Sequence, residues 1–320
     1  MATIAVIGSG AVGSYYGALL ARAGHDVRFL MRRDLEAVRA RGLDIRSPNG
    51  DFTLPQVNAF GAPEEIGVAD WVICSLKTTA LDDAPALVAP CFGPNTRIIA
   101  LMNGFGVEER LAAHFPKERI FGGMAFVCIN RGEPGVVHHL KYGRVTIGHL
   151  ADDPGEVAEL EALLRSGGID VATAPNLRYA RWEKLCWNVP FNGLSVAAGG
   201  VGTETIMTDP PLRETAERVM REVVSVGNAD LAALGSDARL DADRVVQTLF
   251  AQTDTMGDYR TSMVLDYVYG RELEVEAIHG AVTRRAAELG TPAPAIATLY
   301  ALVRAADRRR RGLLPVIQPE

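Results

Sequence analysis

Residues 3–13, TIAVIGSGAVG, place a glycine-rich turn between a short apolar run and a helical pattern. The β-branched residues of 3–8 predict a buried strand, and residues 11–23 predict a helix that Gly24 closes. In the pattern G-x-G-x-x-G the first glycine allows the tight turn and the second lets a pyrophosphate approach the backbone. The third permits close packing of helix and strand. This placement predicts a dinucleotide site at the helix start, built from Gly8, Ser9, Gly10, Ala11, Val12 and Gly13.

The rest of the chain changes character near its middle. The first half alternates apolar runs with amphipathic stretches, which is typical of a parallel sheet covered by helices. Further strands are predicted at residues 26–31, 71–76, 97–101 and 120–129, with a hairpin appended at 135–148. Helical patterns then dominate at residues 182–198, 211–234, 241–255, 262–269, 272–289 and 293–306. We therefore predict an α/β Rossmann domain over residues 1–177 and an all-α domain over residues 178–320.

The composition excludes several classes of protein. The 320 residues are 48% apolar and 22% charged, and a net charge of −6 argues against a general binder of nucleic acid or anionic membranes. The basic run at 308–311 is predicted to be a solvated tail. The four cysteines are scattered without a C-x-x-C pair, which favours a reduced cytosolic protein and predicts no metal site. Because no apolar stretch approaches about 18 residues, we expect a cytoplasmic protein without a membrane span.

The end of the second predicted strand distinguishes the two dinucleotides. NAD sites place a carboxylate there for the ribose 2′-hydroxyl, whereas NADP sites place arginine against the 2′-phosphate. This strand ends with Met31, Arg32 and Arg33, and a guanidinium offers a phosphate charge-assisted, forked hydrogen bonds. We predict NADPH as the cofactor and Arg32 as the phosphate ligand. Arg33 could equally be a surface charge, and Asp34 is interpreted as the N-cap of a helix through Arg41.

Two polar residues follow later strands. Lys77 comes after the strand at 71–76, and Asn103 follows the strand at 97–101. Functional groups of an open α/β sheet gather past the carboxyl ends of its strands, so both residues are predicted to lie near the cofactor. The alternatives are a solvated surface lysine and, for Asn103-Gly104, a bare turn.

The helix predicted at 182–198 contains a candidate catalytic group. Lys184, Asn188 and Asn192 recur every four residues and therefore lie along one face, among apolar neighbours. Desolvation of a partly buried lysine disfavours its charged form and lowers its pKa, which suits it to protonate an alkoxide. The asparagines can donate hydrogen bonds to a substrate carboxylate or hydroxyl. The alternative is a snorkelling lysine with asparagines on a wet face. Pro190 is expected to kink this helix in a direction that the pattern does not decide.

Glu274 is a second candidate. Counted along a helix over 272–289, it aligns with the apolar stripe of Ile278 and Val282, whereas Glu276 falls on the polar side. A carboxylate on a buried stripe needs a partner. The alternative is an acid of the first turn that complements the helix dipole.

Several separate motifs in order give the chain a resemblance to the ketopantoate reductase family over essentially its whole length. The matching stretches are Gly8 to Gly13, Arg32, Ser75-Leu76-Lys77, Asn103-Gly104, Trp182-Glu183-Lys184-Leu185, Asn188, Asn192, Thr261-Ser262-Met263, Glu272 to Glu276 and Gly280. The resemblance implies reduction of 2-ketopantoate to pantoate by NADPH, a step of pantothenate biosynthesis. It also implies that Lys184 is the proton donor and that Glu274 lies at the substrate and cofactor site. Ser262 matches a serine that contacts substrate, although a helix N-cap is an equally natural role.

Two departures from the family pattern leave alternatives open. His279 stands where the family usually has asparagine, and Cys128 occupies a position beside the cofactor where alanine is common. His279 is interpreted as structural, because five helical residues turn it away from the face of Glu274. The departures would suit a related reductase of another small 2-keto acid, and a non-catalytic NADPH-binding sensor is the alternative from another class. The Met-, Leu- and Tyr-rich second half suits a homodimer interface or only its own core.

Overall fold

The computed structural model describes residues 1–315 and divides into two compact units. The first is Met1–Ala180, and the second begins at Arg181. The boundary predicted after residue 177 falls close to this division, at the start of the helix Leu177–Ala197 (α6). The roles assigned to the two predicted domains stay predictions.

The first unit contains one ten-stranded sheet with helices around it. Its strands are β1 Thr3–Ile7, β2 Asp26–Leu30, β3 Leu43–Arg46, β4 Phe52–Leu54, β5 Asn58–Phe60, β6 Trp71–Cys74, β7 Arg97–Ala100, β8 Ile120–Arg131, β9 Val136–His149 and β10 Val171–Thr173. Its helices before α6 are α1 Ala11–Arg22, α2 Leu35–Arg41, α3 Ala84–Val88, α4 Val107–Ala112 and α5 Pro154–Ser166.

The strand order is β4-β3-β9-β8-β7-β6-β1-β2-β5, and β10 pairs with β9. The strands from β8 to β5 are parallel to one another, as the alternation of strands and helices predicted. Alternate residues of β1 serve opposite faces: Ile4 and Val6 belong to one apolar cluster, and Ala5 and Ile7 to another. Because both faces of this strand are covered, its run of apolar residues is continuous.

The prediction of a hairpin within residues 135–148 is wrong. Those residues form the single strand β9, which is antiparallel to β8 from Phe121–His149 to Arg131–Val137. The sequence pattern therefore detected the second arm of a longer hairpin whose first arm is β8. The short strands β3, β4 and β5 were not predicted, because three or four residues are too few to show a period.

The second unit is helical, and residues 181–315 contain no strand. After α6 it comprises α7 Thr203–Thr208, α8 Pro210–Ala233, α9 Ala242–Asp254, α10 Ser262–Val268, α11 Ala281–Glu288 and α12 Pro294–Arg310, with a π-helical turn at Glu276–Gly280 before α11. The predicted combination of a Rossmann domain with an all-α domain is confirmed.

Two expectations about this unit are corrected. The helix predicted from residue 272 starts later, so Glu272 and Glu274 precede its regular part. The basic run is not a tail, because α12 continues through Arg310, although Arg309, Arg310 and Arg311 are exposed as expected for solvated charges. The Arg310 guanidinium donates to the Val268 carbonyl at 2.8 Å, and Arg311 pairs with Glu272 at 2.8 Å. Along residues 1–315, no helix combines the length and apolarity needed to cross a membrane.

Candidate functional site

The glycine turn has the geometry that its sequence predicts. Gly8 has φ of +101°, and a Cβ there would lie 2.7 Å from the backbone nitrogen of Leu76. Gly10 N donates to Gly8 O at 2.7 Å, which closes the turn. A Cβ on Gly13 would overlap Ser75 Oγ and lie 2.5 Å from Gly8 O. Gly8 and Gly13 are therefore required by the backbone conformation and by the packing of α1 against the sheet.

The same turn leaves room for a ligand on one side. A Cβ on Gly10 would have no neighbour nearer than Gly8 O at 4.0 Å, so the space beside this residue is open. The hydroxyl oxygen of Ser9 is buried and has no hydrogen-bond partner among the described residues. An open backbone and an unsatisfied hydroxyl at the start of α1 fit the oxygen atoms of a pyrophosphate.

The sheet order brings three more of the predicted cofactor residues to one edge. Strands β2, β1, β6 and β7 are adjacent and parallel, and the chain changes direction across the sheet between β1 and β6. In open α/β sheets ligands bind at such a switch point, outside the carboxyl ends of the strands. Arg32, Lys77 and Asn103 each follow one of these strands; Arg32 and Lys77 are exposed and Asn103 is half-buried. Gly104 has φ of +95°, so Asn103 does stand at a turn.

Cys128 and Asp34 are two further residues of this unit that the sequence singled out. Cys128 is buried within β8 opposite Lys141 of β9, and the four cysteines are buried and form no disulfide. Its predicted place beside the cofactor stays a prediction. Asp34 stands at the N-cap position of α2, but its side chain makes no capping hydrogen bond. The carboxylate instead bonds the guanidinium of Arg131, so the capping interpretation is wrong.

The helix α6 begins at Leu177, at the end of the first unit, and continues as one helix to Ala197 in the second unit, with Pro190 inside it. The predicted spacing therefore holds, with Lys184, Asn188 and Asn192 one turn apart. Lys184 is half-buried, and its Nζ lies 5.6 Å from the centroid of the Trp187 ring. Asn188 and Asn192 are 3% and 2% exposed. The alternative of asparagines on a wet face is therefore wrong.

Buried polar contacts hold α6 in place. The indole nitrogen of Trp182 donates to the Asp230 carboxylate at 2.7 Å, and Arg285 Nε donates to the other oxygen at 2.7 Å. A Cβ on Gly227 would lie 2.9 Å from Cγ of Trp182, which shows how closely α8 approaches α6. The indole nitrogen of Trp187 donates to Thr253 Oγ1 at 3.0 Å. These contacts fix the turns on either side of Lys184.

His279 is a structural contact that sequence reasoning only partly anticipated. Its ring is fully buried, and Nε2 lies 2.9 Å from the Val189 carbonyl of α6. A Cβ on Gly193 would lie 2.7 Å from the same nitrogen, so only glycine permits this approach. Since a carbonyl accepts, Nε2 carries the proton. The structural interpretation is confirmed, but its reason was wrong: the five-residue spacing was counted at α-helical pitch, which a π turn does not have.

Glu274 and Ser262 remain candidate site residues, although the local structure around each differs from the prediction. Glu274 is 8% exposed, as its alignment with apolar residues predicted, although it precedes the π turn. Glu276 lies on the polar side as predicted and pairs with Arg284 at 2.8 Å. Thr261, not Ser262, caps α10 by accepting from Val264 N at 3.2 Å. The exposed Ser262 hydroxyl is therefore not used as the cap, which removes the structural alternative for it.

The glycine turn at a switch point defines a dinucleotide-binding α/β protein, here joined to a helical unit. The family model described as "Ketopantoate reductase PanE/ApbA" matches residues 4–152, and its C-terminal counterpart matches residues 176–307. A 2-dehydropantoate 2-reductase of Nostoc sp. is 39% identical over 319 residues, 98% of each chain. The chain therefore belongs to the ketopantoate reductase family.

Solved structures agree with this assignment. The 2-dehydropantoate 2-reductase of Geobacter metallireducens superposes with a TM-score of 0.91 at 44% identity, covering 95% of this chain and 99% of the other. The enzyme of the same name from Methylococcus capsulatus gives a TM-score of 0.83 at 34% identity, covering 96% and 97%. The similarity thus extends over both units of the chain.

Proposed function

We propose that this protein reduces 2-ketopantoate (2-dehydropantoate) to pantoate with NADPH, as a step of pantothenate biosynthesis. The observation that carries the proposal is the α6 face, where a half-buried lysine is followed at one-turn intervals by two buried asparagines. Packing alone gives no reason to bury two amides in succession, because each buried polar group needs a partner. Asn192 Oδ1 is buried and has no partner among the described residues, which suits the hydroxyl donor of a substrate.

The nucleotide-binding unit supplies the proposed cofactor site. Gly8, Ser9, Gly10, Ala11, Val12 and Gly13 bind the pyrophosphate, and Arg32 binds the 2′-phosphate. Lys77, Asn103, Cys128 and Glu274 complete the cofactor contacts. The exposed guanidinium of Arg32 directly after β2 supports NADPH rather than NADH.

The chemistry divides between the cofactor and the protein. When bound, NADPH supplies hydride to the keto carbon. Lys184 Nζ donates a proton to the keto oxygen as negative charge develops there. Glu274 orients the emerging hydroxyl, and Asn103, Asn188, Asn192 and Ser262 hold the substrate by hydrogen bonds that add no charge.

The decisive experiment follows NADPH oxidation with 2-ketopantoate for the wild type and for Lys184→Ala. We expect kcat to fall by about 10²-fold or more in the variant, by the usual contribution of an acid–base group. The control is Lys117→Ala, which removes an exposed lysine of the other unit. Near-normal turnover by Lys184→Ala would show that this lysine is not the proton donor.

A reductase of another small 2-keto acid is the second candidate, favoured by Cys128 and His279 where the family pattern has other residues. A panel of 2-keto acids with NADPH separates the two substrates, and a higher kcat/KM for another acid would replace 2-ketopantoate. Tight NADPH binding without turnover across the panel would instead indicate a sensor. A cytoplasmic location and a homodimer stay predictions, the second of which sedimentation would test.

A further inference from the structure

Two charged residues just before α2, Arg32 and Asp34, favour different cofactors. Asp34 follows the end of β2 at Leu30, about 20 residues beyond the glycine turn, where NAD sites place an acidic residue for the ribose. A free carboxylate there would repel the 2′-phosphate of NADPH. Arg32, two residues earlier, is the proposed ligand of that phosphate. Neutralising the charge of Asp34 would therefore favour NADPH at this site.

The Asp34 side chain does not cap the helix that follows it. Its side chain makes no capping hydrogen bond to α2, and its carboxylate is only 13% exposed. Oδ2 bonds the guanidinium of Arg131, whereas Oδ1 is buried without a hydrogen-bond partner among the described residues. Arg33 Nε approaches Oδ1 only to 3.8 Å, on a side chain that is 61% exposed. Arg131 is therefore the principal counter-charge of this carboxylate.

The β8–β9 hairpin explains how Arg131 reaches α2. Arg131 is the last residue of β8, in the turn that leads to β9. The tip of this hairpin lies beside the end of α2, where Arg41 donates to the Pro134 carbonyl at 3.2 Å. A Cβ on Gly135 would lie 3.6 Å from the Val38 side chain. The hairpin thus places the Arg131 guanidinium beside the start of α2, although Arg131 is distant from α2 in the sequence.

We infer that Arg131 determines the cofactor preference by neutralising Asp34, so that the end of β2 accepts a 2′-phosphate. Arg131 acts through its ion pair with Asp34 and need not contact the phosphate itself. The inference rests on the proposed function only in its choice of NADPH, and it does not depend on which keto acid is reduced. The Arg131 side chain is 36% exposed, but the Asp34 carboxylate is only 13% exposed, so solvent and salt screen this pair less than a fully exposed one.

The test measures binding rather than turnover. Titration calorimetry of wild type and Arg131→Met uses NADPH and NADH, and the shorter nucleotides 2′,5′-ADP and 5′-AMP isolate the phosphate. In the variant we expect NADPH and 2′,5′-ADP to bind about tenfold more weakly, with NADH and 5′-AMP changed by less than about threefold. Adding Asp34→Asn to Arg131→Met removes the exposed charge and is expected to restore NADPH affinity to within about threefold of wild type.

The remaining variants decide between explanations. Arg144→Met removes an arginine of β9 that pairs with Asp170 at 2.7 Å, and it should leave all four affinities unchanged. Failure of Asp34→Asn to rescue the Arg131 variant would overturn the inference, because Arg131 would then contact the phosphate directly or only support the hairpin. Equal weakening of NADPH and NADH would overturn it as well. Absence of NADPH binding by the wild type would overturn both proposals, whereas binding without reduction of 2-ketopantoate would refute only the substrate.

Discussion

The buried His279 ring predicts a pH dependence of stability that originates in the second unit. Burial lowers the pKa of His279 from its ordinary 6.5 to about 4, and the hydrogen bond with the Val189 carbonyl only partly opposes this shift. The folded pKa lies below the unfolded one, so between these values the unfolded chain binds a proton that the folded chain does not. The free energy of unfolding therefore decreases as pH falls below about 6.5, and the loss stops below about 4.

The magnitude follows from the two pKa values. Linkage between them gives a loss of about 2 kcal/mol from pH 7 to pH 5 and about 3 kcal/mol by pH 4. His279→Asn keeps an N–H donor for the Val189 carbonyl but cannot be protonated. We expect this variant to lack that part of the pH dependence, whatever its stability at pH 7. Protonation of carboxylates contributes equally to both proteins and cancels in the comparison.

The assay must report the helical unit alone, because a two-unit protein need not unfold in one step. The chain has three tryptophans, of which Trp71 lies in the first unit and Trp182 and Trp187 in the second. Urea unfolding followed by tryptophan fluorescence in a Trp71→Phe background reports on the second unit. His114→Asn, at an exposed site of the first unit, should retain the wild-type pH dependence. Parallel loss of stability in wild type and His279→Asn would refute a buried, neutral His279.

Two further substitutions have matched controls. Gly13→Ala places a Cβ 2.5 Å from Gly8 O and should cost about 1–3 kcal/mol of stability, measured by thermal unfolding. Gly10→Ala, whose Cβ meets nothing nearer than 4.0 Å, should keep the melting temperature but weaken NADPH binding in the same titration. Asp230→Ala removes the shared acceptor of Trp182 and Arg285 and should cost about 3 kcal/mol in urea unfolding. Glu288→Ala, which removes the exposed partner of Arg285, should cost less than about 1 kcal/mol, and equal losses would contradict this ranking.

The helices and strands that could be predicted from the sequence are those with a regular spacing of apolar or polar residues. The strand and helix around Gly8 were predicted closely because the apolar run, the glycine turn and the closing Gly24 agree with one another. The face of Lys184 was predicted because α-helical spacing holds along α6. The helix before Ala281 was misplaced, since a π turn has no marker in the pattern of apolar residues.

Contacts between distant residues could not be predicted in this way. The capping role of Asp34 was plausible from its neighbours, but its actual partner, Arg131, comes from another strand. The bond between His279 and Val189 likewise joins residues on separate helical segments. The sequence did contain one indication of this contact, because Gly193 allows another group to approach α6 closely. A glycine does not show which group approaches.

The pairing of β3 with β9 has a consequence for synthesis on the ribosome. Asp44 lies opposite Val136, so the first strand of this pair emerges long before its partner. Until then β3 has only β4, a three-residue strand, beside it. An unpaired strand edge is a site of misassociation. The edge of β3 therefore stays uncovered until nearly half of the chain has been translated, and slow elongation before that point would prolong its exposure.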